Sequence, residues 1–145
     1  MIQVSGFLSK DTCDYCIEFF TRNKNVSRIF RGRFIIDLLT IRDPVMDTIK
    51  EKYISLYPTK KLKTLELVSW SIGESHDWHD DTIYYDHSTI LYLNKDYEGG
   101  RTQIEDYVVE PKAGKLICFT SDLKHRVTTL KSGQRYVILA WYKNG

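Results

Sequence analysis

After Pro58 the chain becomes a succession of short β-rich runs, and no other feature narrows its possible folds so far. The runs cover Leu62 to Ile72, Thr89 to Leu93, Thr102 to Ile104, Lys115 to Phe119, Val127 to Leu130 and Tyr136 to Trp141. Gly-Gly, Pro-Lys-Ala-Gly, Ser-Asp and Ser-Gly turn signals punctuate them. Many short strands can protect their edges only by closing on one another as a sandwich or barrel. An aromatic content of 13%, with ten Tyr, agrees, because aromatic rings pack well on a pleated surface.

The first 58 residues have a different pattern. Ser9 can cap a helix running to about Arg22, with Phe7 or Leu8 as a staple. Asp43-Pro44 is an N-cap followed by Pro at the first helical position. Val45, Ile49, Tyr53 and Leu56 then mark one helical face until Pro58 ends the run. Phe34 to Leu39, between the helices, reads as a strand. The expected fold is mainly β with N-terminal helices: a helical buttress over about 1–58 against a jelly-roll (double-stranded β-helix, cupin-like) core over about 59–145. No repeat or linker-like stretch interrupts the 145 residues, so one domain is expected. The pocket of such a domain lies inside the barrel.

No apolar run approaches the roughly 20 residues that span a bilayer. Met1 to Gly6 lacks a basic region leading into an apolar stretch. A cytoplasmic monomer without a membrane partner is therefore expected, with Cys13, Cys16 and Cys118 as free thiols. Cys13, Cys16, Ile17 and Phe20 follow an i, i+3, i+4, i+7 pattern, which puts both members of the C-x-x-C on a buried helical stripe. The net charge of +2 says little, but its distribution is uneven. Arg22 to Arg33 holds five basic residues and no acidic one, and Glu74 to Asp86 holds five acidic residues and no basic one. The acidic stretch is where a cation is expected. The basic stretch, which includes Arg28 and Arg31, reads as an exposed loop able to fold over a bound peptide, or simply as a solvated connector.

His79-Asp80-Asp81 carries the chemistry. In a strand, positions i and i+2 share a face, so His79 and Asp81 can converge on one cation while Asp80 points away. His125, from a distant strand, would complete two His and one carboxylate, the facial set that suits non-haem Fe(II). His76 is a competing ligand, but it stands three residues from His79 and should face the other side. Ten residues beyond His125 comes Arg135, at the start of an apolar run. An Arg buried in a barrel needs an anion, and its fork fits a carboxylate such as the far one of 2-oxoglutarate. Tyr92 could add a hydrogen bond to that anion. H-x-D alone is a weak signal; the ordered set is stronger.

From about Trp70 to Tyr142 the chain resembles the prolyl 4-hydroxylase-like branch of the 2-oxoglutarate/Fe(II) dioxygenases. The resemblance rests on Trp70 and Gly73, then His79 and Asp81, Tyr92-Leu93-Asn94, Gly99-Gly100, Pro111 to Gly114, Leu116 to Phe119, and finally His125, Gly133, Arg135 and Trp141. The family often has Tyr where this chain has Trp70. The resemblance implies Fe(II) on His79, Asp81 and His125, with no catalytic residue beyond the metal ligands. It implies 2-oxoglutarate on Arg135 and Tyr92, with Thr102 and Trp141 lining that pocket, O2 as oxidant and ascorbate as a further cofactor. It implies oxidative decarboxylation of 2-oxoglutarate to succinate coupled to substrate hydroxylation. The substrate it favours is a prolyl residue in a peptide or protein, with Tyr84 and Tyr85 beside the substrate mouth. A free amino acid, a lysyl residue or another small molecule is the alternative. Nucleic acid is disfavoured, because the demethylase branch carries a second Arg where Trp141 stands. An inert jelly roll and a cupin-like binding module without turnover are the non-enzymatic readings.

Overall fold

The computed structural model describes residues 1–145. In chain order the elements are β1 (Ile2–Val4), α1 (Lys10–Asn23), β2 (Arg28–Phe30), β3 (Arg33–Asp37), α2 (Pro44–Leu56), β4 (Lys60–Trp70) and β5 (His76–His79). Then follow β6 (His87–Tyr92), β7 (Tyr97–Gly99), β8 (Thr102–Ile104), β9 (Tyr107–Val108), β10 (Leu116–Thr120), β11 (His125–Val127), β12 (Leu130–Gly133) and β13 (Arg135–Asn144). A single 3-10 turn, Lys24–Val26, follows α1.

Both helices start where their capping residues require. The Ser9 hydroxyl accepts from the Thr12 N–H at 3.1 Å. The Asp43 carboxylate accepts from the Val45 and Met46 N–H groups at 2.9 and 3.1 Å, with Pro44 inside the first turn. These bonds satisfy donors that a helix start otherwise leaves orphaned. No helix is long and apolar enough to cross a membrane.

The strands form a seven-stranded antiparallel sheet, β1-β10-β6-β13-β4-β3-β2, a four-stranded sheet, β5-β11-β8-β9, and a two-stranded antiparallel sheet, β12-β7. The architecture is a jelly roll whose sheets are antiparallel and not closed. Alternation on the large sheet separates two cores. Leu65, Leu67, Ile138, Ala140 and Tyr142 face α1 and α2, against Cys13, Cys16, Phe20, Met46, Ile49 and Tyr53. Val68, Trp70, Ile90, Tyr92 and Val137 face the smaller sheet, against Ile104 and Val127. Each fully buried aliphatic or aromatic chain contributes about 1.5–3 kcal/mol of transfer free energy, so both layers hold the large sheet in place. The three thiols are free and buried.

Three findings differ from the sequence expectation. The first 58 residues contribute β1, β2 and β3 to the large sheet, which therefore crosses the expected division near residue 58. Val127 to Leu130, expected as one strand, is split between β11 and β12, because the two halves pair with different partners, β8 and β7. The basic stretch is not a loop: Arg28–Phe30 pairs with Arg33–Asp37 as a hairpin through Arg31 and Gly32, both with positive φ. Its ladder hydrogen bonds, and an ion pair of 2.8 Å from Arg28 to Glu66, hold it against the sheet.

Candidate active site

His79 and His125 face each other across paired strands, Cα to Cα in register, with ring centroids 4.2 Å apart. Asp81 reaches them differently from the expectation. It lies beyond the end of β5, in a turn fixed by its N–H donating to the Ser121 carbonyl at 2.9 Å and by its own carbonyl accepting from the Tyr84 and Tyr85 N–H groups. One ligand atom from each of His79, Asp81 and His125 lies within 4.8 Å of the others.

The imidazoles are held in one tautomer. His79 Nδ1 lies 2.6 Å from the Asp77 carbonyl and His125 Nδ1 lies 2.9 Å from the Leu123 carbonyl. A carbonyl only accepts, so Nδ1 carries the proton and Nε2 presents its lone pair. Those Nε2 atoms stand 3.8 and 3.3 Å from the Asp81 oxygens. Asp81 Oδ2 accepts from Ser88 Oγ at 2.8 Å and from Trp141 Nε1 at 3.1 Å. Burial opposes a charge on Asp81, but the attraction of His125 when that imidazole is protonated, with the donors Ser88 and Trp141, outweighs it and holds the carboxyl below its ordinary value. Burial likewise lowers His79. Burial opposes His125 too, but Asp81 and the Leu123 carbonyl prevail and raise it.

His76 corrects the sequence reading. It was expected on the opposite side from His79, yet the two rings stack at 3.6 Å and 16°. Between them the ladder slips: His76 to His79 on β5 spans only Val127 to His125 on β11. The extra residue is a bulge, which reverses the alternation and brings both rings to one side. Burial, with the neighbouring His79 and Arg33, pushes His76 down to about 4, so it stays neutral.

Arg135 is 1% exposed and donates to Thr102 Oγ1 at 3.0 Å. The same oxygen accepts the Tyr92 hydroxyl at 2.7 Å. The guanidinium lies 4.8 Å from the Trp70 ring centroid and 5.8 Å from that of Tyr92. Arg135 Nε, the Trp70 indole N–H and the Tyr97 hydroxyl are all buried without a hydrogen-bond partner. Three unpartnered donors in one corner suit an acceptor. Gly99 and Gly100, both at positive φ, allow the close approach there. A Cβ on Gly99 would collide with the Thr129 carbonyl oxygen, and one on Gly100 would stand 3.1 Å from Arg135 Cδ.

One cavity of about 80 Å³ joins His79, Asp81 and His125 to Arg135, with Trp70, Phe119 and Trp141 in its wall. Trp141, expected against the co-substrate, lines this cavity, and it also bonds the Asp81 carboxylate and stacks on Tyr85 at 5.4 Å. Tyr84 is 67% exposed. Arg28 and Tyr85 line an adjoining cleft, and Arg31 stands at the hairpin turn with its guanidinium over Phe30. The sequence reading missed Ser88, Ser121, Tyr97 and Arg33. Ser88 and Arg33 had a legible signal, since each shares strand parity with an inward apolar residue, Ile90 and Ile35.

Residues 65–143, more than half of the chain, match the model of the 2OG-Fe(II) oxygenase superfamily. The chain belongs to that superfamily. A PKHD-type hydroxylase of Psychrobacter sp. (strain PRwf-1) is 29% identical over 93 residues, covering 52% of this chain and 36% of the relative. Prolyl 3-hydroxylase 2 of Rattus norvegicus is 33% identical over 76 residues, covering 45% and 11%. The chain thus spans about a third or less of the length of these relatives. Among solved structures, a Pseudomonas putida prolyl-4-hydroxylase superposes with a TM-score of 0.80 at 19% identity, covering 99% of this chain and 92% of that one. The viral collagen prolyl hydroxylase of Paramecium Bursaria Chlorella virus-1 gives 0.77 at 18%, covering 99% and 95%. Both likenesses show the jelly-roll fold.

The 2OG-Fe(II) oxygenase superfamily needs Fe(II), 2-oxoglutarate and O2. The site fits that requirement. Two imidazole Nε2 atoms and one carboxylate are the donor set non-haem Fe(II) takes. The orphaned donors around Arg135 suit a dicarboxylate whose far end enters that corner.

Proposed function

We propose that His79, Asp81 and His125 hold Fe(II), that Arg135 holds the far carboxylate of 2-oxoglutarate, and that the oxygenase hydroxylates a prolyl residue in a peptide or protein. One observation carries the reading: the His-Asp-His set and a buried, carboxylate-free Arg135 share a single cavity. The iron would supply dioxygen activation and hydrogen abstraction from the substrate. The protein's own groups do the rest. The Asp77 and Leu123 carbonyls orient the imidazoles, and Ser88 and Trp141 orient the carboxylate, so the three ligands stand ready before metal arrives. Thr102 and Tyr92 hold the Arg135 fork, and Trp70 and Tyr97 offer the N–H and O–H that the co-substrate would accept. Phe119 and Leu139 keep water from the reacting centre.

Support for the prolyl substrate comes from the relatives and from the cleft. Prolyl 3-hydroxylase 2 and the Pseudomonas prolyl-4-hydroxylase bear that activity in their names. Beside the metal cavity lies a cleft of about 320 Å³ walled by Tyr85, Trp141, Phe30 and Leu139, apolar faces on which a pyrrolidine ring can lie. Arg28 joins that wall, while Tyr84 and Arg31 flank the surface outside it. A proline-rich peptide panel incubated with iron and 2-oxoglutarate should yield +16 Da products by mass spectrometry. Hydroxylation confined to free amino acids or lysyl peptides would replace the prolyl assignment and leave the iron and co-substrate assignments standing.

A further inference from the structure

Arg33 is the second buried guanidinium of the cavity, and nothing in the reading above uses it. It is 8% exposed. In register, Arg33 and Arg135 flank Trp70 from the neighbouring strands β3 and β13, and both guanidiniums lie near its ring, at 5.2 and 4.8 Å. The one hydrogen bond of the Arg33 guanidinium is to His76 Nδ1, at 3.3 Å. None of the protein's ion pairs includes it. Glu66, the acidic side chain in the same cleft, is taken by Arg28. Its other N–H groups reach the open cleft, near Glu74 but in no ion pair with it, and are free to meet an anion that enters there.

The position of Arg33 says which anion. It lines the metal cavity and the outer cleft alike, whereas Arg135 lines only the first. A molecule entering through the cleft therefore meets Arg33 at the junction of cleft and cavity, across Trp70 from Arg135. The 2-oxoglutarate dianion is already matched, one end by the metal and the other by Arg135. We infer that Arg33 is a substrate-binding residue, a fork for a carboxylate carried by the primary substrate close to the carbon that is hydroxylated. His76, neutral and stacked on His79, positions the fork by accepting one of its N–H groups. The carboxylate has two possible sources, a free amino acid or the C-terminal residue of a peptide. The inference rests on the assignment of Arg135 to 2-oxoglutarate and not on proline.

The test is calorimetric binding to protein loaded with Fe(II) and 2-oxoglutarate in the absence of oxygen. Each ligand is titrated as its acid and as its primary amide: L-proline, acetyl-Gly-Pro, L-lysine and acetyl-Gly-Lys. In at least one pair the acid should bind about 30-fold or more tightly than the amide, the range set by a buried charge pair. Arg33→Gln should erase that difference while 2-oxoglutarate affinity stays unchanged, and Arg33→Lys, which keeps the charge but loses the fork, should fall between them. A preference for L-proline or L-lysine alone assigns the carboxylate to a free amino acid; a preference for the acetylated dipeptide alone assigns it to a peptide terminus. Acid and amide binding alike in every pair would overturn the inference, as would an Arg33→Gln variant that loses 2-oxoglutarate instead. A preference seen only with the lysine pairs keeps Arg33 and ends the prolyl reading. Equal binding of both proline forms with hydroxylation of each does the reverse.

Discussion

Asp81 Oδ2 gathers Ser88, Trp141 and His125 Nε2 onto one oxygen, so small changes there should separate metal chemistry from co-substrate chemistry. Replacing His79, Asp81 or His125 by Ala should abolish iron-dependent turnover, read as succinate formation, while circular dichroism stays native. Trp141→Phe removes one N–H from the carboxylate and keeps the stacking surface. It should weaken iron binding by about 10–100-fold, the range for a lost partner of a metal ligand, with the 2-oxoglutarate KM unmoved. A raised KM with normal iron affinity would return Trp141 to the co-substrate pocket, where the sequence reading put it. Arg135→Ala should cost about 2–5 kcal/mol of 2-oxoglutarate binding, and Arg135→Lys less, because a point charge replaces the fork. Unchanged 2-oxoglutarate affinity in both would remove Arg135 from the site. His79, Asp81, His125 and Arg135 were legible because only chemistry explains such residues in an apolar barrel. Tyr97 was not, since a Tyr on a strand carries no signal until its partner across the fold is known.

Elements form where caps, turns and alternation agree. At the start of α2 all three do: Asp43 accepts from two backbone N–H groups and from the Tyr15 hydroxyl at 2.7 Å. Asp43→Ala should therefore destabilise the fold by about 1 kcal/mol at neutral pH, measured in urea. Burial alone would raise the Asp43 pKa, but these donors outweigh it and leave the folded value lowered. A lowered folded pKa means the contribution is present above the unfolded carboxylate range and fades as pH falls through the folded value. The gap between wild type and variant should accordingly close in acid, and a gap constant down to pH 2 would contradict the ionic account. The bulge in β5 and the hairpin at Arg28 to Phe30 had no such local markers. A bulge is decided by how many residues the facing strand offers, and β2 is a strand only because β3 lies beside it.

At the scale of the molecule, binding and folding should be linked, because the proposed metal ligands come from β5, β11 and the turn between β5 and β6, and Arg135 begins the long central strand β13. Iron and 2-oxoglutarate at about 100 times their Kd should stabilise the folded state by about 2.7 kcal/mol each. A chelator should remove the metal increment from Tm. Arg135→Ala should retain that increment and lose the one from 2-oxoglutarate; loss of both would mean that the variant disturbs the metal ligands as well. The alternation of apolar residues, the helix caps and the order of His79, Asp81, His125 and Arg135 were enough to determine a jelly roll with helices against it and a His-Asp-His group sharing a cavity with a buried Arg. Such features are local or periodic, and a single chain displays them without a partner. The tertiary structure alone decided that His76 stacks on His79, that Trp141 serves the carboxylate and that Arg33 stands uncompensated between cavity and cleft. Each depends on strand register, which is set by pairing between segments far apart in sequence, and one residue of slip reverses every side chain beyond it.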